Sequence, residues 1–278
     1  MKEIIYRVTP EKISLLSSLL LATGFSAFYS EKTDGINLLK IYTNGDIPSC
    51  LNDEIPVSST EINPDSWNHA WSDTYSGSEL THNIYVLPQG VNPPEHYYST
   101  IITIDPYDSF GDGHHPTTRL CGELLELILS DGYIQKSPGA ISMLDIGTGS
   151  GILPIAAWCM GVRDIDLFDY DHISVEKARK NLRLNGIDAL KPFTADVYTF
   201  ETSKRYDLIS ANLLSKLLED NSLRIQGLLN PEGMLIFSGI STLWTEQMKK
   251  MFLSINLDII EHRVIDDWNG FILSPSKK

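Results

Sequence analysis

Apolar and polar residues are arranged differently in two parts of the chain. The first part, residues 1–62, carries short apolar runs bounded by turn residues, which are typical of strands. Residues 10–22 instead carry apolar side chains at helical spacing, and Gly24 follows them as a helix stop. This pattern predicts a small α+β domain over residues 1–62. Its predicted strands are residues 3–9, 25–29, 35–42 and 55–62.

In residues 81–278, strand-like runs alternate with amphipathic segments. Alternation of this kind predicts an α/β domain with a mostly parallel sheet and helices on both faces. The last two strands have no helix between them, so we expect one of them to be antiparallel. The predicted strands are residues 84–88, 100–105, 142–146, 164–168, 190–194, 206–211, 234–239, 258–264 and 270–273. The predicted helices are residues 119–128, 153–160, 174–185, 215–229 and 243–254, and Asn-Pro-Glu-Gly at 230–233 predicts a turn.

Residues 63–80 are expected to form a linker helix between these domains. Trp67 and Trp71 are four residues apart and so share one helical face. They either fix the linker to a domain or provide a platform for a substrate.

The net charge indicates which classes of partner the protein can bind. A formal charge of −14 repels phosphate backbones, so direct binding of nucleic acid is not expected. A basic protein partner would be attracted, although solubility alone also explains an acidic surface. The apolar run at 13–22 is interrupted by serines and is too short to cross a bilayer, and the first residues do not resemble a signal peptide. We therefore expect a cytoplasmic protein with no membrane partner.

The three cysteines, Cys50, Cys121 and Cys159, are far apart in the sequence. Without a Cys-x-x-Cys pair they predict neither a disulfide framework nor a zinc site, and we expect buried free thiols. No metal site is predicted.

The glycine-rich loop at 147–151 follows an apolar run that ends with the carboxylate of Asp145. A strand, a glycine loop and a helix in this order are typical of nucleotide binding. The dinucleotide pattern requires a third glycine where this chain has Ile152. The loop therefore favours a ligand with a carboxylate, a ribose and a sulfonium over a dinucleotide, and a tight turn without a ligand is the alternative.

Acidic residues around this loop are candidate ligand contacts. Asp169 ends the second strand, about 20 residues after Gly147, where a carboxylate binds ribose hydroxyls. Asp171 is expected to cap the next helix. Asp145 accepts hydrogen bonds from amides of the loop, faces the ammonium group of the ligand, or lies in solvent as a carboxylate at the strand end. Asp196 follows the third strand and either contacts an adenine amino group or stabilises a turn.

Asn212 directly follows the predicted strand at 206–211. A neutral amide at this edge can accept a hydrogen bond from an amine and also donate one to a ligand. A helix cap is the competing interpretation.

The segment 110–119 reads Phe-Gly-Asp-Gly-His-His-Pro-Thr-Thr-Arg. Adjacent histidines are poor joint metal ligands without further carboxylates or thiols. Pro116 at a helix start, with Thr117 and Thr118 in the first turn, is typical of a loop that closes over a ligand.

This segment resembles the Phe-Gly-Thr-Gly-x-His-Pro-Thr-Thr motif of the ribosomal protein L11 methyltransferase (PrmA) family. The Gly-x-Gly-Ser-Gly-Ile-Leu loop, the Asp-x-Asp after the second strand, Ala-Asn-Leu-Leu at 211–214 and the two linker tryptophans match the family in the same order. The resemblance covers about residues 63–278. It implies a class I methyltransferase, Rossmann-like, with a small N-terminal domain.

The resemblance further implies S-adenosyl-L-methionine as cofactor and ribosomal protein L11 as substrate, methylated on lysine ε-amines and on its α-amine. Residues 1–62 would recognise the substrate, and residues 81–278 would carry the methyltransferase. The implied catalytic residue is Asn212. The implied cofactor-binding residues are Thr118, Gly147, Asp169 and Asn212, with Phe110, Gly149 and Asp196 nearby.

The chain departs from the family at several positions. Thr148 replaces a usual cysteine, Asp112 a threonine and His172 a proline, and Lys216-Leu217-Leu218 stands where a proline is usual. The segment between Tyr42 and Ile55 also has little room for the second helix of the N-terminal domain. Alternative functions are methylation of another protein or of a small amine, or cofactor binding without transfer. A dehydrogenase is disfavoured by Ile152 and the acidic charge.

Overall fold

A computed structural model describes residues 2–9, 12–13, 15–16, 19–20, 28–33, 36–43, 45–61, 77–93, 98–105 and 113–277. The chain divides into two compact units, Met1–Tyr75 and Ser76–Lys278. Residues 63–76 of the expected linker helix lie outside the described ranges, together with both of its tryptophans. The remaining part is not helical, because Ser78–Glu79 form a short strand.

The first unit contains an antiparallel sheet. Its strands are β1 (Lys2–Val8), β2 (Phe28–Thr33), β3 (Ile36–Thr43) and β4 (Pro56–Glu61), in the order β2-β3-β1-β4. Residues 12–13, 15–16 and 19–20 are helical, as the apolar spacing predicts. Alternate residues of β1 are buried, which gives the sheet one apolar face. The core of this unit consists of Ile4, Tyr6, Val8, Leu16, Leu20, Leu39, Ile41 and Leu51.

Residues 45–55, between β3 and β4, contain no second α-helix. They form a single 3-10 turn, Ser49–Leu51, as the shortness of this segment led us to expect. Leu51 is 1% exposed and belongs to the core of the unit. Of the strand predicted at 25–29, residues 25–27 lie outside the described residues. Residues 28 and 29 belong to β2, which continues to Thr33 and pairs with β3 up to Thr33 and Ile36.

The second unit is built on a seven-stranded sheet with the order β10-β9-β8-β11-β12-β14-β13. β14 is antiparallel to both of its neighbours, and the other adjacent pairs are parallel, which confirms the expected mostly parallel α/β fold. The strands are β8 (Ser142–Ile146), β9 (Asp164–Asp169), β10 (Phe193–Thr194), β11 (Tyr206–Asn212), β12 (Leu229–Ser241), β13 (Leu257–Ile265) and β14 (Trp268–Pro275).

Helices follow the strands in the predicted order. They are α1 (Pro116–Ser130), α2 (Ile152–Cys159), α3 (His172–Leu184), α4 (Ser215–Gln226) and α5 (Thr245–Ser254). A second, three-stranded sheet precedes α1 and contains β5 (Ser78–Glu79), β6 (Ile84–Pro88) and β7 (Thr100–Ile104). Its strand β7 is bound to α3, because the Asn185 amide donates to Thr103 O and accepts from Thr103 N.

Two local expectations are wrong. The turn predicted at 230–233 lies within β12, where the pairing with β11 shifts between Tyr206 and Leu208, so the Pro-Glu-Gly residues bulge without ending the strand. Cys159, at the end of α2, is exposed, whereas Cys121 is buried and Cys50 is intermediate. All three thiols are free.

None of the described helices is long and apolar enough to cross a membrane. Among the same residues, no three His, Cys, Asp or Glu side chains converge as they would around a metal ion.

The amino-terminal edge of the large sheet is held by the buried carboxylate of Asp207, which is 5% exposed. It accepts hydrogen bonds from Lys136 Nζ at 2.7 Å, from Ser142 N and Oγ at 3.0 Å, and from Asn230 Nδ2 at 2.7 Å. Burial by itself would raise the pKa of Asp207. These hydrogen bonds outweigh burial and hold the pKa below its usual value.

We predict that Asp207→Asn destabilises the fold by about 1–3 kcal/mol, because it removes a charged acceptor from four donor groups. A lowered folded-state pKa stabilises the fold above the unfolded-state value and loses this effect as the pH falls. The difference between wild type and variant should therefore narrow below about pH 4, as measured by urea unfolding. The same change at exposed Asp188 is the control, and an equal loss of stability there would contradict the prediction.

Candidate active site

The site is located by the strand order. The sheet order reverses between β8 and β11, and in open parallel sheets ligands bind at the carboxyl ends of strands at such a point. The glycine loop follows β8 at this edge. Gly147, Gly149 and Gly151 have φ values of +70°, +53° and +78°, in the left-handed region that favours glycine. The loop starts with N–H groups of Gly147 and Thr148 that donate to Phe168 O on β9.

Asp169 lies beside this loop at the end of β9. Its Oδ2 accepts from Gly149 N at 2.9 Å and its Oδ1 accepts from Asp171 N at 3.0 Å. Burial is the largest cause of a raised pKa for Asp169, although these backbone donors oppose it. Asp171 caps α3 through bonds from Ile173 N and Ser174 N, as its position predicts.

Asp145 lies beneath the loop, and the interpretation that placed it in solvent is wrong. Asp145 is 2% exposed, and its carboxylate accepts a hydrogen bond from Ser210 Oγ on β11. Burial raises its pKa to about 6, with a further increase from Asp169, against the hydrogen bond from Ser210. Two carboxylates therefore lie close together at the edge of the sheet, where a cationic ligand would be favoured.

The beginning of α1 brings Thr118 into the interior. His115 is the N-cap residue, and its Nδ1 accepts from Thr117 N. Burial lowers the pKa of His115 to about 4, so the ring is neutral, and it packs against Trp268 with ring centroids 5.1 Å apart. Thr118 is 1% exposed, and its Oγ1 has no hydrogen-bond partner within the described part of the chain. Phe110, the first residue of this motif, lies outside the described residues.

Asn212 is the last residue of β11, and the helix-cap interpretation for it is wrong. Helix α4 begins at Ser215 and has Leu214 as its N-cap residue. The Oδ1 atom of Asn212 is buried and has no hydrogen-bond partner among the residues that the structure describes. Asp196 is exposed in the loop after β10, where its Oδ1 accepts from Tyr198 N in a turn.

Leu213 lies between two glycines at this edge. A Cβ atom on Gly147 would come within 2.4 Å of Leu213 Cδ2, and one on Gly239 would come within 2.1 Å of Leu213 O. The clash at Gly239 is with backbone, and the φ values of +70° at Gly147 and +80° at Gly239 would strain any other residue, so both positions favour glycine. The pair keeps Asn212 adjacent to the glycine loop.

Asn181 is a site-supporting residue that the sequence interpretation missed. It is 1% exposed on α3, donates from Nδ2 to Ser150 O at 2.8 Å, and accepts at Oδ1 from Asp105 N at 2.8 Å. It therefore connects the glycine loop to the residue that precedes the 106–112 segment. An amide on the buried face of an amphipathic helix was the available signal, since buried amides need partners.

Comparison with known proteins decides the family. The model of the family described as ribosomal protein L11 methyltransferase (PrmA) matches residues 8–275. The chain belongs to the ribosomal protein L11 methyltransferase family. The match includes most of the first unit, beyond the residues 63–278 that the motifs covered.

Individual members of the family agree with this assignment. The ribosomal protein L11 methyltransferase of Bacillus pumilus is 32% identical over 217 residues, which are 78% of this chain and 67% of that protein. The one from Pediococcus pentosaceus is 31% identical over 258 residues, which are 91% of this chain and 79% of that protein. The solved structure of a ribosomal protein L11 methylase from Lactobacillus delbrueckii subsp. bulgaricus has a TM-score of 0.65 and 28% identity, covering 73% of this chain and all of that one.

As a member of this family, the chain is an S-adenosylmethionine-dependent protein methyltransferase. The residues present fit that cofactor. Thr118 and Asn212 each have a buried oxygen without a partner in the described structure, Asp145 and Asp169 favour a cationic ligand, and three of the five residues of the loop are glycines without side chains.

We predict that Asp169→Asn weakens the affinity for S-adenosylmethionine by about 10- to 100-fold, because a charged acceptor is lost from the site. Calorimetry measures this effect. Asp171→Asn, the same change two residues away, is the matched control. It should retain the α3 cap, because Asn caps helices about as well as Asp, and it should leave the affinity unchanged. Equal affinities for the two variants would contradict a role of Asp169 in cofactor binding.

Proposed function

We propose that this enzyme transfers methyl groups from S-adenosyl-L-methionine to ribosomal protein L11, on lysine ε-amines and on the α-amine. The observation that carries the proposal is the family match over residues 8–275, together with relatives named for methylation of this protein. The formal charge of −14 supports a basic protein substrate, since opposite charge favours encounter. The same charge disfavours nucleic acid as a direct partner.

The chemistry follows from the groups at the edge of the sheet. When bound, the cofactor supplies a methyl group on a positively charged sulfur. The neutral amine of the substrate forms the new N–C bond, the S–C bond breaks with its electron pair remaining on sulfur, and the product ammonium loses a proton to water. The protein provides position and exclusion of water, with no nucleophile of its own.

Asn212 is the residue we assign to the amine. Its Oδ1 atom is a buried acceptor without a partner in the described structure, so it can accept an N–H bond from the incoming amine. This bond directs the nitrogen lone pair towards the methyl group and disperses the positive charge that develops on nitrogen. Thr118, Gly147, Gly149, Asp169 and Asp196 would hold the cofactor, and the family motif adds Phe110 to this set.

The first unit is proposed to recognise the substrate, as a small domain over residues 1–62. Its strand β4 is an edge of the sheet, and Ile55 and Val57 beside and within it are 85% and 59% exposed. Exposed apolar side chains on an unpaired edge are available to a partner. A cytoplasmic location, where ribosomal proteins are made, completes the proposal.

The direct test is incubation of the enzyme with S-adenosylmethionine and purified ribosomal protein L11, followed by mass spectrometry of intact protein and peptides. We expect L11 to gain mass in steps of one methyl group, on lysine and N-terminal peptides. Another basic ribosomal protein is the control. Equal methylation of the control would favour a broader protein substrate, and cofactor binding without any transfer would favour the non-catalytic alternative.

We predict that Asn212→Ala lowers kcat by about 10- to 100-fold, because the amine loses its acceptor in a buried site. The Kd for S-adenosylmethionine should change less than kcat. Asn230→Ala, at the opposite edge of the same sheet, is the control and should retain its kcat. An unchanged kcat for Asn212→Ala would remove this residue from the mechanism.

We predict that the double substitution Ile55→Asp and Val57→Asp raises the KM for ribosomal protein L11 by about fivefold or more, because apolar contact is replaced by charge. The affinity for S-adenosylmethionine, measured by calorimetry, should not change. Leu223→Asp is the matched control, since Leu223 is 67% exposed on α4 of the second unit. If the KM stays at the wild-type value, this edge does not bind the substrate.

A further inference from the structure

A β-bulge lies in β12 directly beside the residue assigned to the amine. Pairing between β12 and β14 passes from Phe237 opposite Phe271 to Ile240 opposite Asn269. β12 therefore contains one more residue than β14 across this step, and the extra residue falls at Ser238–Gly239. Gly239 has a φ of +80°, which is the left-handed conformation frequent in bulges.

This bulge contacts the backbone that follows Asn212. Leu213 N donates to Ser238 O at 3.2 Å, and Ser215 Oγ donates to Gly239 O at 3.4 Å. The backbone of Gly239 also packs so tightly on Leu213 that a Cβ atom would not fit between them. The position of Asn212 consequently depends on the shape of the bulge.

A single buried residue of β14 binds both sides of the bulge. Asn269 is 0% exposed; its side-chain Nδ2 donates to Ile240 O at 3.0 Å, and its backbone O accepts from Ser238 Oγ at 2.9 Å. Ser238 and Ile240 are the two neighbours of Gly239 in the chain. Asn269 therefore fixes the residue before the bulged glycine and the residue after it.

The remaining polar atom of Asn269 is also satisfied. Its Oδ1 lies 2.8 Å from His262 Nε2 on β13 and 3.2 Å from Thr245 Oγ1 at the start of α5. The His262 ring stacks on Phe271 with centroids 4.3 Å apart, so the imidazole is itself held in place. A buried amide that is bonded at both its oxygen and its nitrogen has one favourable orientation, because a rotation would break these bonds.

We propose that Asn269 is a positioning residue for methyl transfer. It holds the Ser238–Gly239 bulge in the shape that places Leu213, and through Leu213 it places the Oδ1 atom of Asn212 for the amine. Asn269 does not touch the reacting groups. The proposal rests on the function assigned to Asn212, but its structural part, the control of Leu213 by Asn269, can be tested separately.

The test compares Asn269→Asp with Asn221→Asp. Aspartate at 269 retains the acceptor for His262 but replaces the donor to Ile240 O with an oxygen that repels it. Asn221 is an equally buried asparagine of α4, 2% exposed, which donates to Leu217 O. Both variants lose a buried donor, so both should lose stability. The kcat of each variant is calculated per molecule that binds S-adenosylmethionine, so that unfolded protein does not lower it. If Asn269→Asp does not fold, Asn269→Ser replaces it in the comparison.

We expect Asn269→Asp to lower kcat by about 10- to 100-fold while the KM for S-adenosylmethionine changes by less than about threefold. Hydrogen exchange at the Leu213 amide should accelerate in this variant and remain slow in Asn221→Asp. Gly239→Ala should reproduce both effects. The loss of kcat in the double variant Asn269→Asp/Gly239→Ala should be smaller than the product of the losses in the two single variants.

An unchanged Leu213 exchange rate in Asn269→Asp would overturn the positioning role, as would an equal loss of kcat in Asn221→Asp. If exchange accelerates but Asn212→Ala retains full kcat, the assignment of Asn212 fails while the control of Leu213 by Asn269 stands.

Discussion

At the carboxyl edge of the large sheet, Leu213, which follows β11, packs against Gly147 after β8 and against Gly239 within β12. A Cβ atom on Gly147 would overlap with the Leu213 side chain, and one on Gly239 would overlap with the Leu213 backbone. This contact holds the glycine loop beside Asn212, the residue we propose for the amine. Both glycines also have positive φ values, a conformation that glycine adopts without strain.

Two carboxylates give this edge of the sheet a negative charge. Asp145 and Asp169 are buried beside the glycine loop, and burial raises the pKa of each. Burial disfavours the charged form of a carboxylate, and a bound cation offsets this effect. S-adenosylmethionine carries positive charge on both its sulfur and its amine. Asp169 is further restrained by bonds from the backbone of the loop, so the loop and its carboxylate act as one unit.

Local patterns predicted most of the elements, because each depends on neighbouring residues. Pro116 starts α1, Asp171 caps α3, and the alternation of strands and helices leads to a parallel sheet. What could not be predicted depends on residues far apart in the chain. The bulge beside Asn212 is held by Asn269, and the glycine loop is linked through Asn181 to Asp105. No short sequence window contains these partners, and the Pro-Glu-Gly sequence in β12 was misinterpreted as a turn for the same reason.

The strand order has a consequence for biosynthesis. β14 is made after every other strand of the sheet, yet it lies between β12 and β13 rather than at an edge. Until its residues leave the ribosome, β12 presents unpaired N–H and C=O groups, and β13 has no neighbour. The sheet of the nascent chain can therefore be completed only when β14, the strand that carries Asn269, has been made.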